Sequence, residues 1–300
     1  MKKKIIVATV LSAVLIGGAS LTIYANNDGY ELYKDALKNT HTLSSATTNI
    51  EASVTDNGTL INEVQMGAQY NLQQEIMHSK VEMVTNGQKE AFDIAYQEEG
   101  VIIKNLEQSS YYLLKDNQSK AEKKETFEAH HNPELLRIME HVFDALTVQV
   151  HDDIKITNKV EGQKEITVDM SNGDIPIVFR EIGQYIVKKG TSVHENATME
   201  AAEYPFLSQD LTVNMPALVS DIEIAKVKVN SQLTNDEIIK HQTMYVNITG
   251  KDKAGTKHEL ELQFNMDYTN INSTNLTPVE IDDSKTEIMD TSKLKDAHHF

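Results

Sequence analysis

The sequence predicts an α+β fold: one large curved antiparallel sheet with helices packed on its apolar face. Three observations predict it. Long stretches alternate apolar and polar residues with period two between turn dipeptides, so each strand has one greasy and one wet face. Three other segments switch to helical spacing and carry apolar stripes that no lone helix can bury. No shift in composition divides the body, so residues 26–282 are expected to form one domain.

The first helix starts at Asp28. In "DGYELYKDALKNT", Asp28 and Glu31 stand in capping-box order, and Tyr33, Ala36, Leu37 and Thr40 share a face. The period then becomes two. Ala46, Thr48, Ile50, Ala52 and Val54 alternate with polar neighbours up to the turn Asp56-Asn57-Gly58. Leu60, Val64, Met66, Ala68, Tyr70 and Leu72 follow, and Met77, Val81 and Met83 lead to Asn86-Gly87, a strong hairpin signal. Phe92, Ile94 and Tyr96, the turn Glu99-Gly100, and then "VIIKNL" and "SSYYLL" complete a six-strand meander.

The charged stretch from Lys115 to Glu128 reads as an exposed loop. "HHNPELLRIMEHVFDAL" (His130–Leu146) predicts a second helix, with Asn132 as N-cap, Pro133 at the first position and Glu134 complementing the dipole. Leu135, Leu136, Ile138, Met139, Val142, Phe143 and Leu146 give it a broad apolar stripe. "DIKITNKV" and "KEITVDM" form a hairpin around Glu161-Gly162. A third helix from Asp174-Ile175-Pro176 to Gly190 aligns Ile175, Val178, Phe179, Ile182 and Ile186. Thr191 to Met215 is a long connection. Strands at Leu218–Leu233, His241–Gly250 and Lys257–Tyr268 close the body, and residues 283–300 are expected to be a polar flexible tail.

Lys2, Lys3 and Lys4 precede an uncharged run from Ile5 to Ala25, the pattern of an export signal. Residues 1–25 are expected to be a signal peptide cut after Ala25 or an uncleaved membrane anchor; the run is roughly bilayer length. Either way the body is exported, secreted or held on the outer face of the cytoplasmic membrane, and a single-membrane bacterial source is expected. With no cysteine, disulfides, a thiol nucleophile, thiolate-bound zinc and a lipid-modified cysteine are excluded. Without the leader, 25 basic residues face 45 acidic ones, a net charge of −20. Such a surface repels phosphate backbones and anionic lipid headgroups, so no nucleic-acid partner is expected.

Chemistry-bearing motifs are sparse. His130, His131 and His141 do not share the one-turn spacing that a helical zinc site needs. No Gly-x-Ser-x-Gly elbow or phosphate-cradling glycine loop occurs, and "GKDKAGTK" joins two strands as a turn. "DMSNGD" lacks the alternating carboxylates and distal glutamate of a calcium loop. No cofactor, no metal and no catalytic residue is expected. The apolar stripes are either ordinary core or the walls of a lipid-sized cavity. Eleven methionines, several at inward strand positions such as Met66, Met83 and Met266, suit an adaptable apolar pocket, and tryptophan is absent.

The order helix, meander, helix, hairpin, helix, long connection and three strands resembles the bacterial lipoprotein carriers LolA and LolB. It is also similar to mycobacterial cell-wall lipoproteins of the LppX and LprG kind. "YELYKDALKNTHTL", "NGDIPIVFREIG", "ITGKDKAGTKHELELQFNMDYTNINST" and "TPVEI" resemble a group of exported proteins from Gram-positive bacilli. The resemblance implies a half-barrel of about eleven strands with helices on its concave apolar face, whose relatives hold acyl chains between sheet and helices. It implies a non-enzymatic module for an acyl chain or other apolar ligand at the cell envelope. The implied lining is Met66, Met83, Leu135, Ile138, Met139, Val142, Phe143, Phe179, Ile182 and Met266. The alternative is an interaction or sensor protein with a filled core, acting with a transporter or regulatory protein partner. The lipid-anchor cysteine of the lipoproteins has no counterpart here.

Overall fold

The computed structural model describes residues 28–115, 154–158, 163–175, 197–199, 204–213 and 215–289, with single positions 177, 180, 181, 184, 187, 188 and 201. Helix α1 (Asp28–His41) comes first, with Lys38 and His41 in its last turn, where positive charge suits the dipole. The strands are β1 (Ser45–Asp56), β2 (Thr59–Asn71), β3 (Ile76–Thr85), β4 (Gln88–Gln97), β5 (Gly100–Asn105), β6 (Tyr111–Lys115) and β7 (Ile154–Asn158). They continue with β8 (Lys164–Ser171), β9 (Ala197–Met199), β10 (Leu211–Val213), β11 (Ser220–Leu233), β12 (Ile239–Lys251), β13 (Lys257–Thr269) and β14 (Thr286–Met289). No helix of the described residues is long and apolar enough to cross a membrane.

Twelve strands make one open sheet in the order β14-β6-β5-β4-β3-β2-β1-β13-β12-β11-β8-β7, resembling a half-barrel. Its hairpins follow from local chemistry. Asn57-Gly58 and Asn86-Gly87 all take positive φ, the twist that suits a two-residue hairpin loop. The expected strands are all present. The sheet is nevertheless mixed, because β14 lies parallel to β6 through Thr286↔Tyr111 to Met289↔Leu114. This twelfth strand comes from the stretch expected to be a polar flexible tail; "TEIM" has too short an alternation to announce itself, and the open edge of β6 supplies its partner. The long connection contains the small β9–β10 hairpin.

Of the three expected helices, α1 is described in full and the third has helical backbone at the six described positions from 177 to 188. The second, His130–Leu146, lies outside the described residues. Among the described residues, the contacts between the sheet and helical backbone are those of α1 and of Val187.

Register shows which side chains share a face. Met83, Val64, Ala52, Phe264, Met244, Val229 and Val168 are successive cross-strand partners, one apolar rank through seven strands. We call this the inner face. At one end α1 covers it: Leu32, Tyr33 and Ala36 pack on Ile166, Val168, Met170, Val229 and Leu233. Thr40 ties the helix down, its hydroxyl donating to Ala36 O at 2.6 Å and accepting from Ile239 N at 2.9 Å. At the other end Tyr204, Leu207 and Leu211 cover Val64, Val81, Met83 and Phe92.

The outer face is polar except over β4–β6, where a strap from β13 to β14 crosses it and seats Val279 and Ile281 on Ala95, Ile102 and Leu113. Two glutamines hold the strap as a neighbouring strand would. Gln74 accepts from Leu276 N at 3.0 Å and donates to Leu276 O at 3.0 Å. Gln97 accepts from Val279 N at 2.8 Å and donates to Val279 O at 3.2 Å.

Replacing Gln97 by leucine keeps its bulk and removes both bonds. The expected cost is about 1–3 kcal/mol, the penalty of a buried backbone pair left unmet. Faster hydrogen exchange at Val279 and along β14 should accompany it; unchanged exchange there would show that the apolar contacts alone hold the strap.

The Tyr33 phenol, 1% exposed, accepts from Gln242 Nε2 at 2.5 Å with Ser231 beside it. Burial pushes Tyr33 up to about 12, and Tyr268 up to about 12 with Tyr70 adding to the effect. Below pH 10 the phenols keep their protons in the folded and unfolded states alike. Between about 10 and 12 the unfolded chain sheds protons that the folded chain retains, so stability falls as pH rises. Urea midpoints should be level approaching pH 10 and drop from there to pH 12, with a smaller drop in Tyr33→Phe. A Tyr33→Phe profile that superimposes on wild type would show that this phenol does not contribute.

Candidate functional site

The expected apolar site divides three ways. Met83 is buried in the cluster with Val64, Val81 and Phe92, and half-buried Met66 packs against the same cluster. Met266 is half-buried on the inner face, with Ile50 and Gln242 as its cross-strand partners. These three methionines share a face, and Met66 and Met266 flank Ile50 on either side. Leu135, Ile138, Met139, Val142, Phe143, Phe179 and Ile182 lie outside the described residues, as do His130, His131 and His141.

A further apolar strip runs along the inner face below that centre. Tyr70, Met77, Tyr96, Val101 and Leu114 are successive partners across β2 to β6. Met77 is 39% exposed and the other four are partly exposed. With strands about 4.8 Å apart, the strip is roughly 19 Å long. Tyr70 also neighbours Tyr268, and burial raises both phenols, so their hydroxyls stay protonated and can donate at neutral pH. One edge of the inner face thus combines a greasy track with two neutral hydroxyl groups.

The wall above the track is set by a polar clamp that sequence periodicity does not show. Glu90 and Asn105 are both fully buried. The Glu90 carboxyl accepts from Asn105 Nδ2 at 2.5 Å, from Ser208 N at 3.0 Å and from Ser208 Oγ at 2.5 Å. Asn105 Nδ2 also donates to Phe206 O at 2.9 Å, and Gln108 Nε2 donates to Leu207 O at 3.0 Å. This network seats Phe206 edge-on against Phe92 at 6.1 Å and Tyr112 at 6.4 Å between ring centres. The available signal was the aromatic and leucine cluster of "YPFL" within an otherwise patternless connection.

A second polar cluster joins the turns at the opposite end of the strands. His258 Nδ1 lies 2.8 Å from Asp56 Oδ2, and its Nε2 lies 3.6 Å from Asp252 Oδ2. This cluster ties two hairpins together. Among the described residues no group of three or more His, Cys, Asp or Glu side chains could hold a metal ion.

Glu90→Gln would turn an amide NH2 toward groups that all donate. About 1.5–3 kcal/mol of stability should be lost, the range for a hydrogen bond to a carboxylate. Hydrogen exchange at residues 206–208 should rise before global unfolding; if it rises only with the whole sheet, the clamp does not act locally.

The sequence matches no protein-family model and no curated protein. Among solved structures, the chain is similar to the crystal structure of a LolA superfamily protein from Nitrosomonas europaea. Identity is 8%, 82% of this chain and 94% of that chain are covered, and the TM-score is 0.22. It is also similar to a beta-barrel-like protein of a domain of unknown function from Brucella abortus, at 6% identity, over 75% of this chain and 98% of that chain, with a TM-score of 0.19.

Proposed function

We propose that this chain is an exported, non-enzymatic binding module that holds an acyl chain or another apolar ligand against the inner face of its sheet, at the cell envelope. The observation that carries the reading is the partly exposed strip Tyr70–Met77–Tyr96–Val101–Leu114. Contiguous apolar surface on neighbouring strands is costly to leave wet and is a common mark of a binding site. Met66 and Met266 extend the track toward the centre of the sheet, where their flexible side chains adapt to a chain-like ligand. The hydroxyls of Tyr70 and Tyr268 suit the polar end of an amphiphile. The stripes from Leu135 to Phe143, and Phe179 and Ile182, would supply the opposing wall. The N-terminal segment would deliver the body outside the cytoplasm, and would keep it at the membrane if uncleaved.

A second reading, an envelope interaction or sensor protein with a filled core, is favoured by the covers already present. Helix α1 and the segment from Tyr204 to Leu211 bury both ends of the inner face in protein.

Native mass spectrometry separates the two. Protein from Asn26 onward, made through its own export route, should carry stoichiometric lipid that solvent extraction releases. Met77→Glu combined with Tyr96→Glu should abolish retention while the sheet stays folded. A clean apo mass, with no lipid taken up from added vesicles, would instead select the filled-core protein.

A further inference from the structure

The outer face carries a separate cleft of about 530 Å³, within the size range of small-molecule sites. Its floor is built from consecutive cross-strand partners. Lys80, Asp93 and Lys104 stand side by side on β3, β4 and β5. Gly67 precedes them on β2 and leaves a gap in the rank; a Cβ there would come within 3.3 Å of Asn49 Oδ1. The next rank sets His78, Ala95 and Ile102 beside them, and Val279 of the strap forms a wall over Ala95 and Ile102. One part of the cleft is therefore charged, and the other is apolar.

The charges are not spent on one another. Directly opposed side chains on neighbouring strands have Cβ atoms about 5 Å apart, close enough for Lys–Asp pairs to close. Neither Lys80 nor Lys104 pairs with Asp93 among the described residues. Lys104 Nζ lies instead 5.1 Å from the centre of the Tyr111 ring. Asp93 Oδ1 and His78 Nε2 are shielded from solvent and have no hydrogen-bond partner. In a chain of net charge −17, two ammonium groups flanking one carboxylate without an ion pair to it are a local reversal of sign.

An anion alone would be repelled by Asp93, and a cation alone by the lysines. A molecule with an ammonium next to a carboxylate, and an apolar body beyond, matches the whole rank. We propose that this outer cleft binds a free α-amino acid with an apolar side chain. The ammonium of the ligand sits at Asp93, its carboxylate against a flanking lysine, and its side chain against Ala95, Ile102 and Val279. The site is independent of the inner-face ligand.

The test is calorimetric titration of the full-length protein at low salt with L-phenylalanine, 3-phenylpropionate, which lacks the ammonium, and phenethylamine, which lacks the carboxylate. L-Phenylalanine should bind at least about tenfold more tightly than either, the worth of one charge-assisted hydrogen bond. Asp93→Asn should erase its preference over 3-phenylpropionate, and Lys80→Met with Lys104→Met its preference over phenethylamine. Ala95→Leu, which fills the floor, should weaken all three. Circular dichroism reports that each variant is folded, and lipid retention by Asp93→Asn should match wild type. Equal binding of the three probes, absence of binding by L-phenylalanine, or folded charge variants that bind it as wild type does, would overturn the assignment.

Discussion

The antiparallel pairing of β1 with β13 is the constraint on which the rest of the fold depends. It joins a strand from the start of the body to one from its end, in unbroken register from Thr47↔Thr269 to Asp56↔Leu260. The meander grows from one side of β1 and the β12–β11–β8–β7 half from the far side of β13. Side chains alternate between faces, so a slip of one residue here would turn Phe264 and Met266 outward and bring Gln263 and Asn265 in. The apolar rank from Met83 to Val168 crosses this pairing, and the cluster of Ile61, Leu218, Ile248 and Leu260 draws Val54 of β1 and Leu262 of β13 against it. A register set over ten consecutive pairs spreads that constraint along the whole strand rather than leaving it to one contact.

The covers are attached by a different chemistry. A segment lying across a sheet cannot share its ladder, so its backbone groups need side-chain partners or water. Gln74 and Gln97 satisfy Leu276 and Val279 on the outer face. Glu90, Asn105 and Gln108 satisfy Phe206, Leu207 and Ser208 on the inner face. Thr40 does the same where α1 meets β12. In each case a polar side chain, buried or half-buried except at Gln74, fixes the position of a cover, and apolar contacts then supply the area. The polar groups choose the place, since hydrophobic burial alone is non-directional.

Period-two alternation made the strands legible, because half-buried antiparallel strands advertise their inward positions residue by residue. Met66, Met83 and Met266 were readable as inward for the same reason. Asn57-Gly58 and Asn86-Gly87 marked their turns through the backbone conformation that those residue pairs tolerate. The clamp at Glu90 was not legible: an acidic residue among inward positions reads as a break in the pattern until Ser208, 118 residues away, is seen to donate to it. Strand β14 was hidden because its partner is an edge, and edges leave no mark on the sequence that fills them. The outer cleft was equally hidden. Lys80, Asp93 and Lys104 are ordinary outward residues on three strands, and they become a constellation only through register.

The magnitudes also decide how an inner-face ligand would be held. If a chain-like ligand removed about 200 Å² of the Tyr70–Leu114 strip from water, the gain would be roughly 5 kcal/mol at 25 cal/mol per Å². Association itself costs at least about 4 kcal/mol in lost translation and rotation. The strip by itself therefore leaves almost no net affinity, and a ligand lying on the sheet with its other side wet would not stay. Stoichiometric retention requires a second apolar wall that buries the opposite side of the ligand and roughly doubles the area. Helix α1 and the Tyr204–Leu211 segment lie toward the two ends of the sheet, so among the described residues neither supplies that wall. The apolar stripes of the sequence between Leu135 and Leu146 and between Ile175 and Ile186 are the segments with enough large side chains to build it. The acyl-chain reading thus requires the sheet and a second apolar surface together, because the strip alone does not offset the cost of binding.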